Sequence, residues 1–481
     1  YLGLSEDDFN TNPFSRYAAS NNDKMTTDHT QYMLTHHLGF SKNLTLTTTF
    51  YRNNFARNWY KLNDITFEGD QQKISNILGD PTNYSDHFSI VNGTVNSSAD
   101  AIAVKANNRS YYAQGMQTKL DYHWYTENLF HDLELGFRYH YDEEDRFQWI
   151  DKYSISNTGV LTETTAGVPG TDANRISSAK AFASYITYKL KYQNWTFTPG
   201  VRYEDILLER KDFGKNDITR SGSDLNEREN SVAIFIPGMG ANYKFNNDLS
   251  LFGGIHKGFS PPGNKEDEKA EESINYELGT RFSLGKLKGE FVGFYNDYSN
   301  LLGSDIAATG GTGSLDQFNA GAVKVNGIEL LLNYNMTSEA ARFSFPMSLG
   351  YTFTNTEFLN SFGSTDSLWG TVTLGDELPY IPKHQLNAAL SLEHAKFEVN
   401  VNARYNGAFR TLAGSGNIPT DEKVASNFII DMSSKYRVTP QFQLTANLTN
   451  LLNNTYAVSR VPAGLRPGHP FGIYAGFQYQ F

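Results

Sequence analysis

The stretch Phe397-Glu-Val-Asn-Val-Asn-Ala-Arg-Tyr-Asn406 alternates strictly between apolar and polar residues. Successive side chains of a β-strand point to opposite faces, so this stretch would have one apolar face and one face that carries Glu398 and Arg404. A helix would require apolar residues three and four positions apart, and that spacing is absent here. The stretch is therefore predicted to be a strand with an apolar face and a charged face.

The same alternation recurs along the chain, for example in residues 133–141, 195–204 and 442–449. From Met25 to Phe481 we expect about 17 strands of this kind. Short turns such as Ser41–Asn43 and Leu284–Lys286 alternate with long links. The largest of these links is expected to run from Asn63 to Asn108.

Tight turns at one end and long loops at the other are typical of transmembrane antiparallel β-barrels in the outer membrane of Gram-negative bacteria. Hydrophobic residues make up only 39% of the chain, and no stretch approaches the ~18–20 continuous apolar residues of a spanning helix. A barrel does not need such a stretch, because only every second residue meets lipid. The alternative is a soluble β-sandwich, which would need a second sheet to cover the apolar faces. The sequence favours an all-β transmembrane barrel.

Composition excludes several functions. The chain has no Cys, which removes disulfides and thiolate metal sites. A net charge of −11 argues against nucleic acid as a partner. We find no paired Ser/His/Asp motif, so no enzyme is predicted. We also find no His/Asp/Glu grouping at metal-ligand spacing, so neither a metal site nor a cofactor is expected.

The direction of the strands bears on completeness. If the short turns are periplasmic, the first strand, which begins near Met25, runs inward, and the last strand also ends at the periplasm. That arrangement requires an odd number of strands, whereas single-chain bacterial barrels close with an even number. We therefore expect residues 25–481 to form a barrel that is incomplete at its N-terminal side, and residues 1–24 to form an extracellular loop segment.

Several segments resemble known outer-membrane proteins. Phe471–Phe481 is similar to the terminal strand of outer-membrane barrels, which ends in an aromatic residue. Segments that resemble TonB-dependent receptors are His256–Gly263, Glu272–Gly279, Asn319–Glu329, Leu448–Tyr456 and Pro462–Gly468. Segments that resemble the ferric citrate branch of that family are Tyr1–Phe9, Asn12–Ser20 and Asn107–Gly115.

The resemblance implies a barrel of about 22 strands around an N-terminal plug, of which this chain would supply the later strands without the plug. It implies a gated receptor that takes up ferric citrate or a similar ferric chelate (a siderophore). The TonB–ExbB–ExbD complex would drive it through the missing N-terminal part, and outer-membrane lipids and lipopolysaccharide would surround it. The alternatives are another cargo, such as a cobalamin, another siderophore or a sugar, or a passive porin.

An anionic ferric chelate would be bound by cationic donors. The planar guanidinium of Arg matches the geometry of a carboxylate and donates two hydrogen bonds to it. The candidates near the expected extracellular mouth are Arg57, Lys105, Arg109, Arg175 and Lys257. The alternative role of each is to stabilise a loop or to contact lipopolysaccharide phosphate.

Overall fold

The computed structural model describes residues 2–303, 318–319, 321–337, 342–363, 370–461 and 463–481. Tyr1, Ala320 and Pro462, which belong to the family-like segments above, lie outside these residues. The long strands, labelled β1–β17 in chain order, are Lys24–Gly39, Leu44–Phe67, Ile102–Thr126, Leu129–Ile155, Ala173–Tyr192, Trp195–Asp212, Asn226–Lys244, Leu249–Ser260, Glu271–Leu284, Leu287–Asn300, Val323–Asn335, Pro346–Phe358, His384–Glu393, Phe397–Asn406, Asn427–Arg437, Phe442–Thr449 and Gly472–Tyr479.

Each long strand pairs antiparallel with the next one along the chain. The same order continues from β7 to β17. Two short strands, Asp70–Lys73 and Leu161–Thr165, pair with the last residues of β2 and β4. Within the described residues no pairing joins β1 to β17. The predicted antiparallel all-β architecture, and the number of strands, are confirmed.

The two faces of the sheet differ in chemistry. One face exposes large apolar side chains, such as Phe235 at 64% and Leu278 at 62%. A continuous apolar surface of this kind marks contact with a membrane or a partner. The opposite face carries ion pairs, such as the one between Lys119 Nζ and Glu134 Oε2 at 3.2 Å. We call the apolar face the outer face and the charged face the inner face.

The links between strands also divide by length. At one end of the sheet, the turn end, are the described residues 40–43, 127–128, 193–194, 245–248, 285–286, 336–337, 342–345, 394–396 and 438–441. At the other end, the loop end, are the described residues 68–101, 156–172, 213–225, 261–270, 301–303, 318–319, 321–322, 359–363, 370–383, 407–426, 450–461 and 463–471. The predicted alternation of turns and long links is confirmed.

The prediction that one link runs from Asn63 to Asn108 was wrong, because β2 continues to Phe67 and β3 begins at Ile102. The pairing shifts register between Leu62 and Asp64. A bulge of this kind inserts one extra residue and interrupts the period of two. The apolar-polar alternation of β2 is therefore interrupted at Leu62, although the strand itself continues to Phe67.

The loop end contains short helices, two-stranded ribbons and a hydrophobic core of its own. Its helices are α1 (Glu6–Thr11), α2 (Ile74–Gly79) and α3 (Ser85–Asn92), with short 3₁₀ turns at Ala18–Ser20 and Thr420–Glu422. Ser5 caps α1 by accepting a hydrogen bond from the Asp8 amide. No helix in the described residues is long and apolar enough to cross a bilayer. Two-stranded ribbons pair Leu302–Gly303 with Phe318–Asn319, Phe362–Gly363 with Thr371–Val372, Phe409–Arg410 with Lys423–Val424, and Ala457–Ser459 with Arg466–Pro467.

This core joins the start of the chain to its end. Leu4 and Leu465 are both buried and exchange two backbone hydrogen bonds of 2.8 and 2.7 Å. Gly464 has a φ of +72°, and a Cβ added there would lie 2.6 Å from the carbonyl oxygen of Leu4. Glycine is therefore required where residues 2–5 cross the link 450–471.

Replacing Gly464 by Val should detach this N-terminal segment, because the side chain clashes with the crossing backbone and strains a positive φ by about 1–3 kcal/mol. Limited trypsin digestion of the purified protein should then cleave faster after the exposed Arg16. Gly39→Val is the matched control, since nothing lies within 4 Å of a Cβ at that position. Equal cleavage rates in the two variants would contradict the prediction.

Candidate functional site

Four arginines form a row across the inner face. Arg57 on β2 is in register with Arg109 on β3, which is in register with Arg146 on β4, which in turn is in register with Arg175 on β5. Side chains directly opposite each other on neighbouring strands have Cβ atoms about 4.5–5.5 Å apart, and like charges at that spacing repel. We call these four residues the arginine row.

Carboxylates offset part of this repulsion. Glu144 lies between two members of the row, with Oε1 3.0 Å from Arg109 Nη1 and Oε2 2.9 Å from Arg146 Nε. Asp212 on β6 is in register with Arg175 and accepts a 2.8 Å hydrogen bond from Arg210. Glu144 thus joins two members of the row, and Asp212 places a further negative charge opposite Arg175.

Lysines extend the positive surface toward the loop end. Lys61 on β2 and Lys105 on β3 are in register with each other and share the inner face with the row. Both are buried, with 2% and 6% of their surfaces exposed. Lys105 Nζ lies 2.8 Å from Asp172, which belongs to the link 156–172. Because Asp172 comes from a link, that link helps to close the loop end above the row.

A carboxyl group directly before β1 is also buried. The Oδ1 atom of Asp23, which precedes β1, accepts a 2.7 Å hydrogen bond from the Leu62 amide. Burial raises the pKa of this carboxyl to about 6, although the Leu62 hydrogen bond and nearby Lys61 oppose the shift. Asp23 therefore titrates beside the positive surface in mildly acidic solution.

A cavity of about 410 Å³ lies on the inner face, on the turn-end side of the row. Its lining includes Phe55, Tyr111, Glu144 and Leu208 from the strands, and Asn264 from the link 261–270. That volume falls within the range of about 300–1,000 Å³ that is usual for small-molecule sites. The link 261–270 folds over this space because Asn230 donates hydrogen bonds of 2.9 and 3.1 Å to the carbonyl oxygens of Gly263 and Glu268.

Arg57 faces aromatic rings rather than acids. Its Nε and Nη2 atoms donate to the Tyr111 hydroxyl at 3.3 and 3.1 Å. Tyr111 stacks on Phe55 with ring centroids 5.8 Å apart and an interplanar angle of 28°. In the part of the chain that the structure describes, no carboxylate lies within ion-pair distance of Arg57. This guanidinium therefore has hydrogen-bonding capacity left for an anion.

A polar network continues the inner face toward the turn end. The Tyr51 hydroxyl lies 2.6 Å from His140 Nδ1 and accepts a 3.1 Å hydrogen bond from Arg138. His140 Nε2 is 3.0 Å from Asp142, which also lines the cavity. On the turn-end side of the arginine row, these side chains of the inner face are therefore joined by hydrogen bonds.

The structure brings together four of the five predicted cationic residues. Arg57, Lys105, Arg109 and Arg175 share the inner face of β2, β3 and β5. Lys257 on β8 is in register with Ile274 and lies on the outer face, where its Nζ is 2.7 Å from Glu272 Oε2. The structure thus separates Lys257 from the cavity.

The sequence analysis missed Arg146, Lys61 and Arg210. Arg146 is the most buried member of the row, with 2% of its surface exposed. A signal for it was present, because the inward alternation of Glu134 and Arg138 on the same strand continues to Arg146 in steps of two. Lys61 carried a weaker signal, since it lies next to the bulge.

This arrangement is suited to binding an anion. Several guanidinium groups within one wall match the planar geometry of carboxylates or phosphates, and such charge-assisted hydrogen bonds are stronger than neutral ones. Partial burial strengthens each interaction further, because the surroundings have a lower dielectric constant than water. Nothing else on the inner face of these strands concentrates charge of one sign in this way.

The chain is similar to known proteins over most of its length. The family model described as "TonB dependent receptor-like, beta-barrel" matches residues 2–451. The ferrienterobactin receptor of Escherichia coli (strain K12) is 25% identical over 329 residues, which are 62% of this chain and 40% of that protein. The chain thus spans about two fifths of the length of this curated relative.

Solved structures share the fold. The unliganded ferric citrate transporter FecA superimposes with a TM-score of 0.70 and 17% identity, covering 99% of this chain and 65% of that one. The ferric-catecholate import receptor Fiu from E. coli K12, in its closed form, has a TM-score of 0.70 and 17% identity, covering 100% of this chain and 68% of that one. The predicted β-barrel is thereby confirmed.

Replacing Glu144 by Gln should raise the affinity of the site for a small polyanion by about tenfold, because the substitution removes a negative charge beside two guanidiniums. Gln keeps an acceptor oxygen for Arg109, so the wall should fold. Citrate binding to the purified protein, measured by calorimetry, tests this. Glu209→Gln is the control, since Glu209 pairs with Lys180 on the outer face at 2.8 Å. Unchanged or weaker citrate binding in the Glu144 variant would contradict the assignment.

Proposed function

This chain belongs to the family of TonB-dependent receptor-like β-barrels, and from that premise we propose that it forms the wall of an outer-membrane transporter for an anionic ferric chelate. The observation that carries the proposal is the arginine row beside the cavity. The barrel wall would enclose the passage across the outer membrane, and the row would recognise the cargo. The family consists of receptors and transporters, so a transport role, not catalysis, is the premise.

Ferric citrate is the cargo that the charge of the site favours. Citrate presents carboxylates, and Arg57, Arg109 and Arg175 present guanidiniums that can each donate paired hydrogen bonds. Arg57 has no acid to neutralise it among the described residues, so it is the first of the row to engage a cargo. The solved ferric citrate transporter has the same fold.

A catecholate chelate is the second candidate. The stacked rings of Phe55 and Tyr111 line the cavity directly below the row. Aromatic faces stack on other aromatic rings, and a catecholate combines such a ring with negative charge. The relatives named as a ferrienterobactin receptor and as a ferric-catecholate receptor are consistent with this cargo class.

We propose that the complete transporter includes more than these residues. The chain spans 40% of its curated relative and 65% of the ferric citrate transporter. We propose that residues 25–481 supply wall strands, that residues 1–24 belong to an extracellular link, and that a plug and the contact with the TonB–ExbB–ExbD complex come from the rest of the protein. Lipids and lipopolysaccharide would cover the outer face.

Replacing Arg57, Arg109 and Arg175 together by Ala should reduce citrate-dependent uptake of ⁵⁵Fe by at least about tenfold, since each lost charge-assisted hydrogen bond is worth about 1.5–3 kcal/mol. The measurement uses cells that express the full-length receptor and no other ferric citrate transporter. Lys257→Ala is the matched control, because Lys257 is on the outer face, and its uptake should equal that of the wild type.

Surface labelling of intact cells should find equal amounts of each variant in the outer membrane. The same strains given a ⁵⁵Fe catecholate distinguish the two cargoes. Citrate uptake that survives the triple substitution would overturn the assignment of the row. A wild type that takes up only the catecholate would replace citrate with the second candidate.

A further inference from the structure

A second cavity, of about 420 Å³, is open on the outer face of β10–β14. Two rows of residues in register form it. The row nearer the turn end contains large side chains: Leu287, Tyr334, Met347, Leu390 and Val401. The next row contains Leu332, Leu349, Ala388 and Ala403.

The depth of this groove comes from two alanines of the second row, which are smaller than the side chains around them. Ala388 and Ala403 are neighbours on β13 and β14, so the surface is recessed there. Met347 and Leu390, at 40% and 43% exposed, rise beside them. Small residues between large ones produce a channel with an apolar lining. A shape of this kind accommodates a hydrocarbon chain better than a flat wall does, because more atoms are in van der Waals contact.

The turns beside the groove are positively charged. Lys286 precedes Leu287 directly, and Lys396 and Arg437 lie at the turn end of β13–β15. All three are exposed. Arg342 is in the turn between β11 and β12, where the sequence has one acid, Glu339.

The earlier turns differ in charge. The turns between β1 and β8, counted with the strand residues that flank them, carry Lys42 and Lys244 against Glu127 and Asp248. Counted in the same way, the turns between β9 and β16 carry four basic residues, Lys286, Arg342, Lys396 and Arg437, against Glu339 and Glu393. Positive charge at the turn end is therefore concentrated beside the groove. Basic residues at a membrane surface attract anionic lipid headgroups.

We propose that this groove binds an anionic phospholipid of the periplasmic leaflet, with an acyl chain against Ala388 and Ala403 and its phosphate near Lys286 and Lys396. Tyr334 lies between the alanines of the groove and the basic turns, at the level where Tyr side chains favour the membrane interface. The inference rests on the proposed outer-membrane placement with periplasmic turns. Phospholipid, and not lipopolysaccharide, is the occupant, because the charge and the groove are both at the turn end.

Native mass spectrometry of the full-length receptor in detergent tests the proposal. Dioleoylphosphatidylglycerol and dioleoylphosphatidylethanolamine are added at equal concentrations. The wild type should retain the anionic lipid about tenfold more than the zwitterionic one. The variant Ala388→Phe/Ala403→Phe fills the groove and should reduce binding of both lipids to background. Lys286→Gln/Lys396→Gln should bring retention of the anionic lipid down to that of the zwitterionic one.

Two matched controls separate the groove from general effects. Ala241→Phe adds the same side chain to the outer face of β7, and Lys42→Gln removes a charge from the turn between β1 and β2. Both should bind lipid as the wild type does. Folding of every variant is checked by the shift in electrophoretic mobility on heating, which folded barrels show.

Several results would overturn the proposal. Anionic lipid that remains bound to the groove-filling variant would place the lipid elsewhere. Equal retention of both lipids by the wild type would remove the role of the basic turns. A dimer mass that disappears in Ala388→Phe/Ala403→Phe would make a second copy of the chain the occupant. The assay does not involve iron, so failure of the ferric citrate assignment would not change the interpretation of the lipid result.

Discussion

The structure depends on backbone hydrogen bonding between neighbouring strands. In a bilayer no water is available to the peptide groups, so each strand must pair along its length with the next one. That pairing fixes register, and register fixes which side chains stand opposite each other on each face. The arginine row and the lipid-facing groove both follow from it. Neither is local in sequence: Arg57 and Arg175 are far apart in the chain yet belong to one row.

The arginine row shows how a binding surface is kept in a folded wall. Like charges placed opposite each other on adjacent strands destabilise a sheet. Glu144 relieves part of that repulsion by its contacts with Arg109 and Arg146, and Asp212 places a negative charge opposite Arg175. Complete neutralisation would leave nothing to attract an anion. The row therefore has enough neighbouring carboxylates to be stable in the folded sheet. It also has one guanidinium, that of Arg57, for which the described residues provide no acid.

Much of the fold was predictable from alternation, because a period of two is a local property that a sequence displays directly. Strands, turns and the inner and outer sets of residues followed from it. The end of β2 did not, since the bulge at Leu62 shifts the period. The site was predictable only in part: residue type pointed to Arg57, Arg109 and Arg175, but their adjacency required registers that depend on every intervening strand. Parity along β8 could have placed Lys257 outside, because Lys257 alternates with His256 and shares its face with Ile255.

The loop end adds a second kind of stabilisation to the wall. Its core resembles that of a water-soluble domain, with Leu4, Ile77, Val91 and Leu465 buried together. Such a core derives its stability from excluding water, whereas a wall in the proposed outer-membrane location would not, because lipid would cover its outer face. The mouth of the barrel is thus held by the hydrophobic effect and the wall by hydrogen bonds. Since Asp172 and Asn264 reach the site from links at this end, the shape of the site depends on both.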